Sequence, residues 1–115
     1  MDDINAQNKE YIDTADALPR VGGNMALYKK LLGRFVEGNH IGELEAAIQS
    51  GDKENAARQT HTLKGVSANL SLVKVWTLSV ELEQLLKSNA DYSACLADLK
   101  QAYTTTTEKI SEILE

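Results

Sequence analysis

Residues 57–72 read A-R-Q-T-H-T-L-K-G-V-S-A-N-L-S-L. At about 100° per residue this stretch is one amphipathic helix. Ala56, Leu63, Val66 and Leu70 fall on one side, the side expected to meet a core. His61 falls on the opposite side. Glu54, Ala57, Arg58, Lys64, Gly65 and Ala68 lie within about 60° of it. Two of these choices are informative. A glycine inside a helix costs about 1 kcal/mol relative to alanine, and Gly65 has no turn to make. The neighbours of His61 along its face, Ala57, Gly65 and Ala68, are all small. They leave the imidazole clear for a large molecule to approach.

Outward from this helix the same period continues. Asp52 suits an N-cap, so the helix is predicted over residues 52–70, with a turn at Asn69 to Ser71. The next helix, residues 72–88, carries Leu72, Val75, Leu78, Leu82, Leu85 and Leu86 on one stripe, with Trp76 at its border. Asp91 is expected to cap a last helix, residues 91–114, with Cys95, Leu96, Leu99, Ala102, Tyr103, Ile110, Ile113 and Leu114 facing inward. The threonine run 104–107 weakens it locally, but both flanks keep the helical period. Upstream, Asn24 caps a helix predicted over residues 24–50, broken or kinked near Gly38-Asn39-His40. Met25, Leu27, Tyr28, Leu31, Leu32, Phe35 and Val36 fall on its broad apolar side. Residues 1–23 read as an N-terminal arm and a short helix opened by Asp13, disturbed by Pro19 and stopped by Gly22-Gly23. No segment alternates with period two for long. The expectation is all-α: an antiparallel up-down four-helix bundle with short N-terminal helices, in a single domain over residues 1–115.

Composition narrows the function. The chain has 115 residues, 43% hydrophobic and 25% charged, with net charge −5. That balance suits one globular domain. An acidic chain without a basic run argues against nucleic acid or an anionic membrane as partner. The polar N-terminus and the lack of any long apolar run exclude a secretory signal of the usual type and point to a cytoplasmic protein without membrane insertion. The single cysteine, Cys95, sits on an apolar stripe and reads as core filler. His40 reads as a surface residue, and its spacing from His61 supports no metal site.

The chemistry then rests on His61. An exposed imidazole is a nucleophile near neutral pH. Lys64 brings a mobile ammonium with three donors. The pair suits a histidine that accepts a phosphoryl group, with the lysine offsetting charge on the phosphoryl oxygens. The chain has no phosphate-binding glycine loop and no acidic cluster for Mg²⁺. Donor, metal and catalytic acids are therefore expected from a partner. Hairpin geometry about Ser71 brings residues 81–83 to the level of His61. Glu83, at the edge of an apolar stripe, is a candidate to accept a hydrogen bond from His61 Nδ1–H, or is a plain solvated carboxylate. Ala57 and Ala68 would form the dry part of a docking surface, with Arg58 either meeting an acidic rim or remaining solvated.

The stretch H-T-L-K-G-V-S-A-N-L at 61–70 resembles the signature of histidine-containing phosphotransfer (HPt) domains of two-component phosphorelays. A-L-P-R-V-G-G-N-M-A-L-Y-K-K-L-L-G-R-F-V-E, G-D-K-E-N-A-A-R-Q-T and V-E-L-E-Q are similar to the family's flanking segments. The resemblance implies that His61 is the phosphorylated residue, that Lys64 assists phosphoryl binding and that Gly65 keeps room for the partner. It implies receiver domains of response regulators as partners, and also a hybrid sensor kinase, with Mg²⁺ supplied at the receiver and no cofactor on this chain. A phosphocarrier without turnover of its own, monomeric and free-standing, is the expectation. The family commonly has glycine where this chain has Ser71, which leaves the turn geometry open. Two rivals are weaker. The phosphoacceptor region of a sensor histidine kinase usually carries an acidic residue and then a proline after its histidine, whereas Thr62 follows His61 and no proline follows at all. A pure interaction scaffold with a non-reacting histidine would take no phosphate from a phosphorylated receiver domain, and that incubation separates the two readings.

Overall fold

The computed structural model describes residues 9–115. Of the expected N-terminal arm, residues 1–8 lie outside that part. The elements are α1 (Thr14–Ala17) running into a 3₁₀ turn (Leu18–Val21), α2 (Met25–Glu37), α3 (His40–Gln49), α4 (Lys53–Leu70), α5 (Val73–Lys87) and α6 (Ser93–Leu114). No strand occurs among the described residues. The caps are local and side-chain made: Asp13 accepts from the Asp16 N–H, Asn24 from Leu27 and Asp52 from Asn55. Pro19 lies at the start of the 3₁₀ turn, where its missing N–H costs nothing.

The core is one cluster in which Tyr28, Leu32, Phe35, Leu44, Leu63, Leu72, Leu82, Leu99 and Ile110 are fully or almost fully buried. The bundle is built from α4, α5 and α6, with α2 and α3 together filling the fourth position. The break or kink expected near Gly38-Asn39-His40 is a full break, so residues 24–50 form two helices. Gly38 ends the first, and Asn39 takes a left-handed conformation with φ +50° before the second, a conformation asparagine tolerates better than most residues. His40 follows and is half-buried rather than a free surface residue. Its ring stacks on Phe35 with centroids 5.2 Å apart, its N–H donates to Tyr103 Oη at 3.3 Å, and burial pushes its pKa down.

Three expected apolar positions face outward. Met25, Leu27 and Val36 are exposed, so the buried stripe of α2 narrows to Tyr28, Leu32 and Phe35. Leu114 is exposed at the end of α6. On α4 the buried stripe includes Thr60 and Ser67, with Val66 half-buried. The two hydroxyls donate to carbonyls one turn back, Ala56 O at 2.8 Å and Leu63 O at 2.7 Å. Burial therefore leaves neither unsatisfied. The threonine run does not interrupt α6, because Thr104 and Thr107 donate back to Lys100 and Thr104 carbonyls from the exposed side. The α6 N-terminus starts at Ser93, and Asp91 still serves it by accepting from the Ser93 N–H at 3.0 Å.

The α4–α5 hairpin fixes everything that follows. Ser71 sits at φ +56°, ψ +43°, in the left-handed region that favours glycine at this position. Its N–H returns to Ala68 O and the Leu72 N–H to Ser67 O, the paired bonds of a Schellman ending. The side chain that makes this conformation costly also anchors it. Ser71 Oγ donates to Asp16 Oδ2 at 2.7 Å and accepts from Arg20 Nη1 at 2.7 Å. The Ser71 hydroxyl and the Arg20 guanidinium hold the Asp16 carboxyl below its ordinary pKa. Nearby, Tyr28 Oη donates to Leu70 O and the Asp13 N–H donates to Ser71 O. The N-terminal segment is thus bonded to the hairpin turn.

A Ser71→Ala protein should keep the strained backbone and lose the hydroxyl network, costing about 1–2 kcal/mol. Ser71→Gly loses the same bonds but relieves about 1 kcal/mol of strain, so it should be the more stable of the two. Urea denaturation midpoints check the order. A Ser71→Ala protein as stable as wild type would show that the network does not hold the turn.

Candidate functional site

The antiparallel register set at Ser71 brings the middle of α4 against the last third of α5. His61 stands on the outer side of α4 with its side chain 67% exposed. Beside it, Glu83 is nearly buried at 6%. Its placement decides the state of the ring. Glu83 Oε2 lies 2.8 Å from His61 Nδ1, and an ionised carboxylate has only acceptors. In the neutral ring Nδ1 then carries the proton, which leaves the lone pair on Nε2, the nitrogen away from the carboxylate.

Glu83 has further partners. Lys64 Nζ donates to Oε1 at 2.6 Å, and Lys87 Nζ approaches Oε2 at 3.5 Å from one turn along α5. Burial alone would push the Glu83 pKa up. The hydrogen bonds from Lys64 and His61 and the charges of Lys64 and Lys87 outweigh it, and the net shift is downward. A buried carboxylate without partners would be strongly destabilising; here each oxygen accepts at least one donor.

Lys64 thus does not stand free at the surface. It is 30% exposed and tied to Glu83. Its ammonium is held within reach of the imidazole by the same carboxylate that orients the ring. Gly65 lies on the outer face next along the helix. A Cβ built there would meet nothing within 4 Å, so no packing inside the chain requires glycine. Ala57 is half-buried and Ala68 exposed on the same face. Arg58 is exposed, 3.9 Å from Glu54 and 3.5 Å from Asn55 Oδ1, contacts too long and solvated to fix it. A shallow depression lined by Glu54, Ala57, Arg58, His61, Glu83 and Lys87 opens on the N-terminal side of the ring.

Two contributors escape the sequence reading. Lys87 follows Glu83 by four residues, so the spacing that pairs them on one helix face was the available signal. The closeness of Lys64 to Glu83 depends on hairpin register and on side-chain reach across two helices. Chemically, the arrangement presents an exposed, correctly protonated imidazole, with two ammonium groups gathered around its supporting carboxylate.

Comparison with known proteins identifies the family and the fold. The family model described as Hpt domain matches residues 31–113. The crystal structure of the HPT domain from an Hpt sensor hybrid histidine kinase of Shewanella superposes with a TM-score of 0.81, covering 92% of this chain and 95% of that one at 16% identity. That likeness is one of fold. No curated protein matches the sequence.

The lowered pKa of Glu83 makes a signed prediction. A carboxyl whose folded pKa is depressed stabilises the fold above its unfolded value, near 4.5, and that stabilisation is lost as pH falls through the folded value. Denaturation across the acid range should therefore show a flatter limb below pH 4.5 in Glu83→Gln than in wild type. In Glu83→Ala, ring-nitrogen NMR shifts should report mixed His61 tautomers. Shifts identical to wild type would mean that this hydrogen bond does not set the tautomer.

Proposed function

The chain belongs to the Hpt domain family, whose members carry phosphoryl groups in two-component signalling rather than acting as enzymes, and we propose that His61 is the residue that carries the group here. The observation that bears most weight is the exposed imidazole whose Nδ1 lies 2.8 Å from the acceptor carboxylate of nearly buried Glu83, which leaves Nε2 facing away from it. In this reading His61 accepts from an aspartyl phosphate on one receiver domain and passes the group to another.

The transfer balances without a proton leaving the site. The Nε2 lone pair attacks phosphorus, the P–O bond to the aspartyl carboxylate breaks, and that carboxylate departs with its electrons. Nδ1–H stays bonded to Glu83 and shares the positive charge that forms on the ring. Lys64 turns from Glu83 Oε1 to the phosphoryl oxygens, and Lys87 remains on the carboxylate to limit the cost of that exchange. Mg²⁺ belongs to the receiver in this scheme, and transfer runs in either direction. Gly65 and the small side chains of Ala57 and Ala68 keep the approach to Nε2 open, while Arg58 lies at the rim. The chain acts as a monomer in the cytoplasm, with response-regulator receivers and a hybrid sensor kinase as partners.

Incubation with phosphorylated receiver domains tests this. Wild type should gain acid-labile, base-stable phosphate, and His61→Gln none; label that survives the substitution refutes the assignment. Lys64→Ala should slow transfer by about tenfold or more, since it removes charge stabilisation at the reacting group. Gly65→Gln should lose transfer from receivers yet keep its helix, gaining up to about 1 kcal/mol of stability. A Gly65→Gln protein that relays normally would contradict the clearance role.

A further inference from the structure

The hairpin face that carries His61 continues toward the turn and ends in a second feature. A depression of about 300 Å³ lies between the C-terminal end of α4 and the start of α5, lined by Ala68, Ser71, Val73 and Trp76 and bounded by Asp16 and Arg20. Trp76 is 43% exposed and Val73 is also exposed. A large aromatic left at the surface beside an apolar hollow is unusual for a side chain that merely packs a bundle edge. The wall is rigid, because the Asp16–Arg20 pair at 3.1 Å is bonded through Ser71 Oγ to the turn itself.

Position says what would cover it. Ala68 follows His61 by seven residues, two helical turns or about 10 Å along α4. Trp76 precedes Glu83 by the same interval along the antiparallel helix. Between them lies Gly65, where no side chain intervenes. A transient protein interface buries on the order of 600 Å² on each partner, a patch about 14 Å in radius if centred on the ring. Any receiver that delivers its aspartyl phosphate to Nε2 therefore has the hollow within reach of its footprint. The opposite flank of His61 offers Glu54, Arg58 and Lys87, all exposed and charged, a polar rim rather than an apolar anchor.

Resting on the phosphotransfer reading of His61, we infer that the Trp76 hollow is the anchoring subsite for the receiver domain, filled by an apolar side chain of that partner and closed at its edge by the Asp16–Arg20 pair. Buried aromatic anchors near an interface centre carry a large share of binding energy. The subsite therefore sets affinity for the partner, while His61, Lys64 and Glu83 set the rate once it is docked.

The test uses the full chain and the receiver domain that transfers fastest to wild type. Trp76→Ala should raise the receiver concentration for half-maximal transfer by about tenfold or more, with the saturating rate within about twofold of wild type. Val73→Asp is a second variant; an acid at the first helical position favours the helix, so loss of docking there is not loss of fold. Phosphoramidate, a small donor whose P–N bond breaks with release of ammonia, labels His61 without docking and controls for an intact site. Trp76 is the only tryptophan in the chain, so its emission should shift to the blue when a receiver lacking tryptophan is added. Unchanged half-maximal concentrations in both variants, or an unmoved emission, would overturn the subsite and leave His61 phosphotransfer standing. Loss of saturating rate and of phosphoramidate labelling together would assign Trp76 a structural role instead. Concentration-dependent dimerisation abolished by Trp76→Ala would give the hollow to a second copy of this chain. If wild type takes phosphate from phosphoramidate and from no receiver, the relay reading fails, and the subsite with it.

Discussion

One nearly buried carboxylate holds the site together. Glu83 is only 6% exposed, and a carboxylate at that depth is costly to leave unpaired. It draws His61 from the neighbouring helix, Lys64 from the turn after it and Lys87 from its own helix. The same demand that makes Glu83 expensive gives the imidazole one tautomer and gathers positive charge around it. A neutral amide could accept the Nδ1 proton as well, but it would not hold an ammonium with comparable strength. The chemistry and the local stability are therefore one arrangement.

That arrangement depends in turn on helix register. Glu83 reaches His61 because the hairpin between α4 and α5 closes at Ser71 with a left-handed residue. A longer or differently wound turn would rotate α5 about its axis and carry Glu83 away. Serine is a costly choice there, and its hydroxyl offsets the cost by binding Asp16 and Arg20. The segment before α2 is more than a leader to the bundle: it splints the turn that sets the register of the site, and it walls the hollow beside Trp76. Site, turn and N-terminal segment form one connected line from residue 83 back to residue 13.

Much of this was legible in the chain. Four amphipathic stretches, their caps and the outward direction of His61 follow from apolar period and from residue types that complete helix ends. Gly65 stood out because its cost had no local reason, and no packing inside the chain requires a glycine there. The break expected near Gly38-Asn39-His40 falls there, but the pattern left open whether it was a kink or a full break, since a left-handed Asn39 leaves the apolar period on both sides nearly undisturbed. Val36, Leu27 and Leu114 were placed inside by pattern and lie outside, because a wheel shows which side a residue takes and not whether another helix reaches it. His40 was read as surface, yet Phe35 five residues back stacks on it and Tyr103, 63 residues on, accepts its N–H, a partner that no local window contains.

What the sequence by itself determined is therefore local and directional: which stretches are helices, which side of each is apolar, and that an imidazole faces outward between small residues with a lysine one turn on. Backbone propensity and periodicity act within a few residues, so they are written in the order of the chain. What only the tertiary structure decided is everything that crosses between helices: the burial of Glu83, its hold on Lys64, the approach of Lys87, the splint at Ser71 and the hollow beside Trp76. These depend on the register and rotation of two packed helices to within about an ångström, and that is fixed by the summed packing of the whole core rather than by any one stretch.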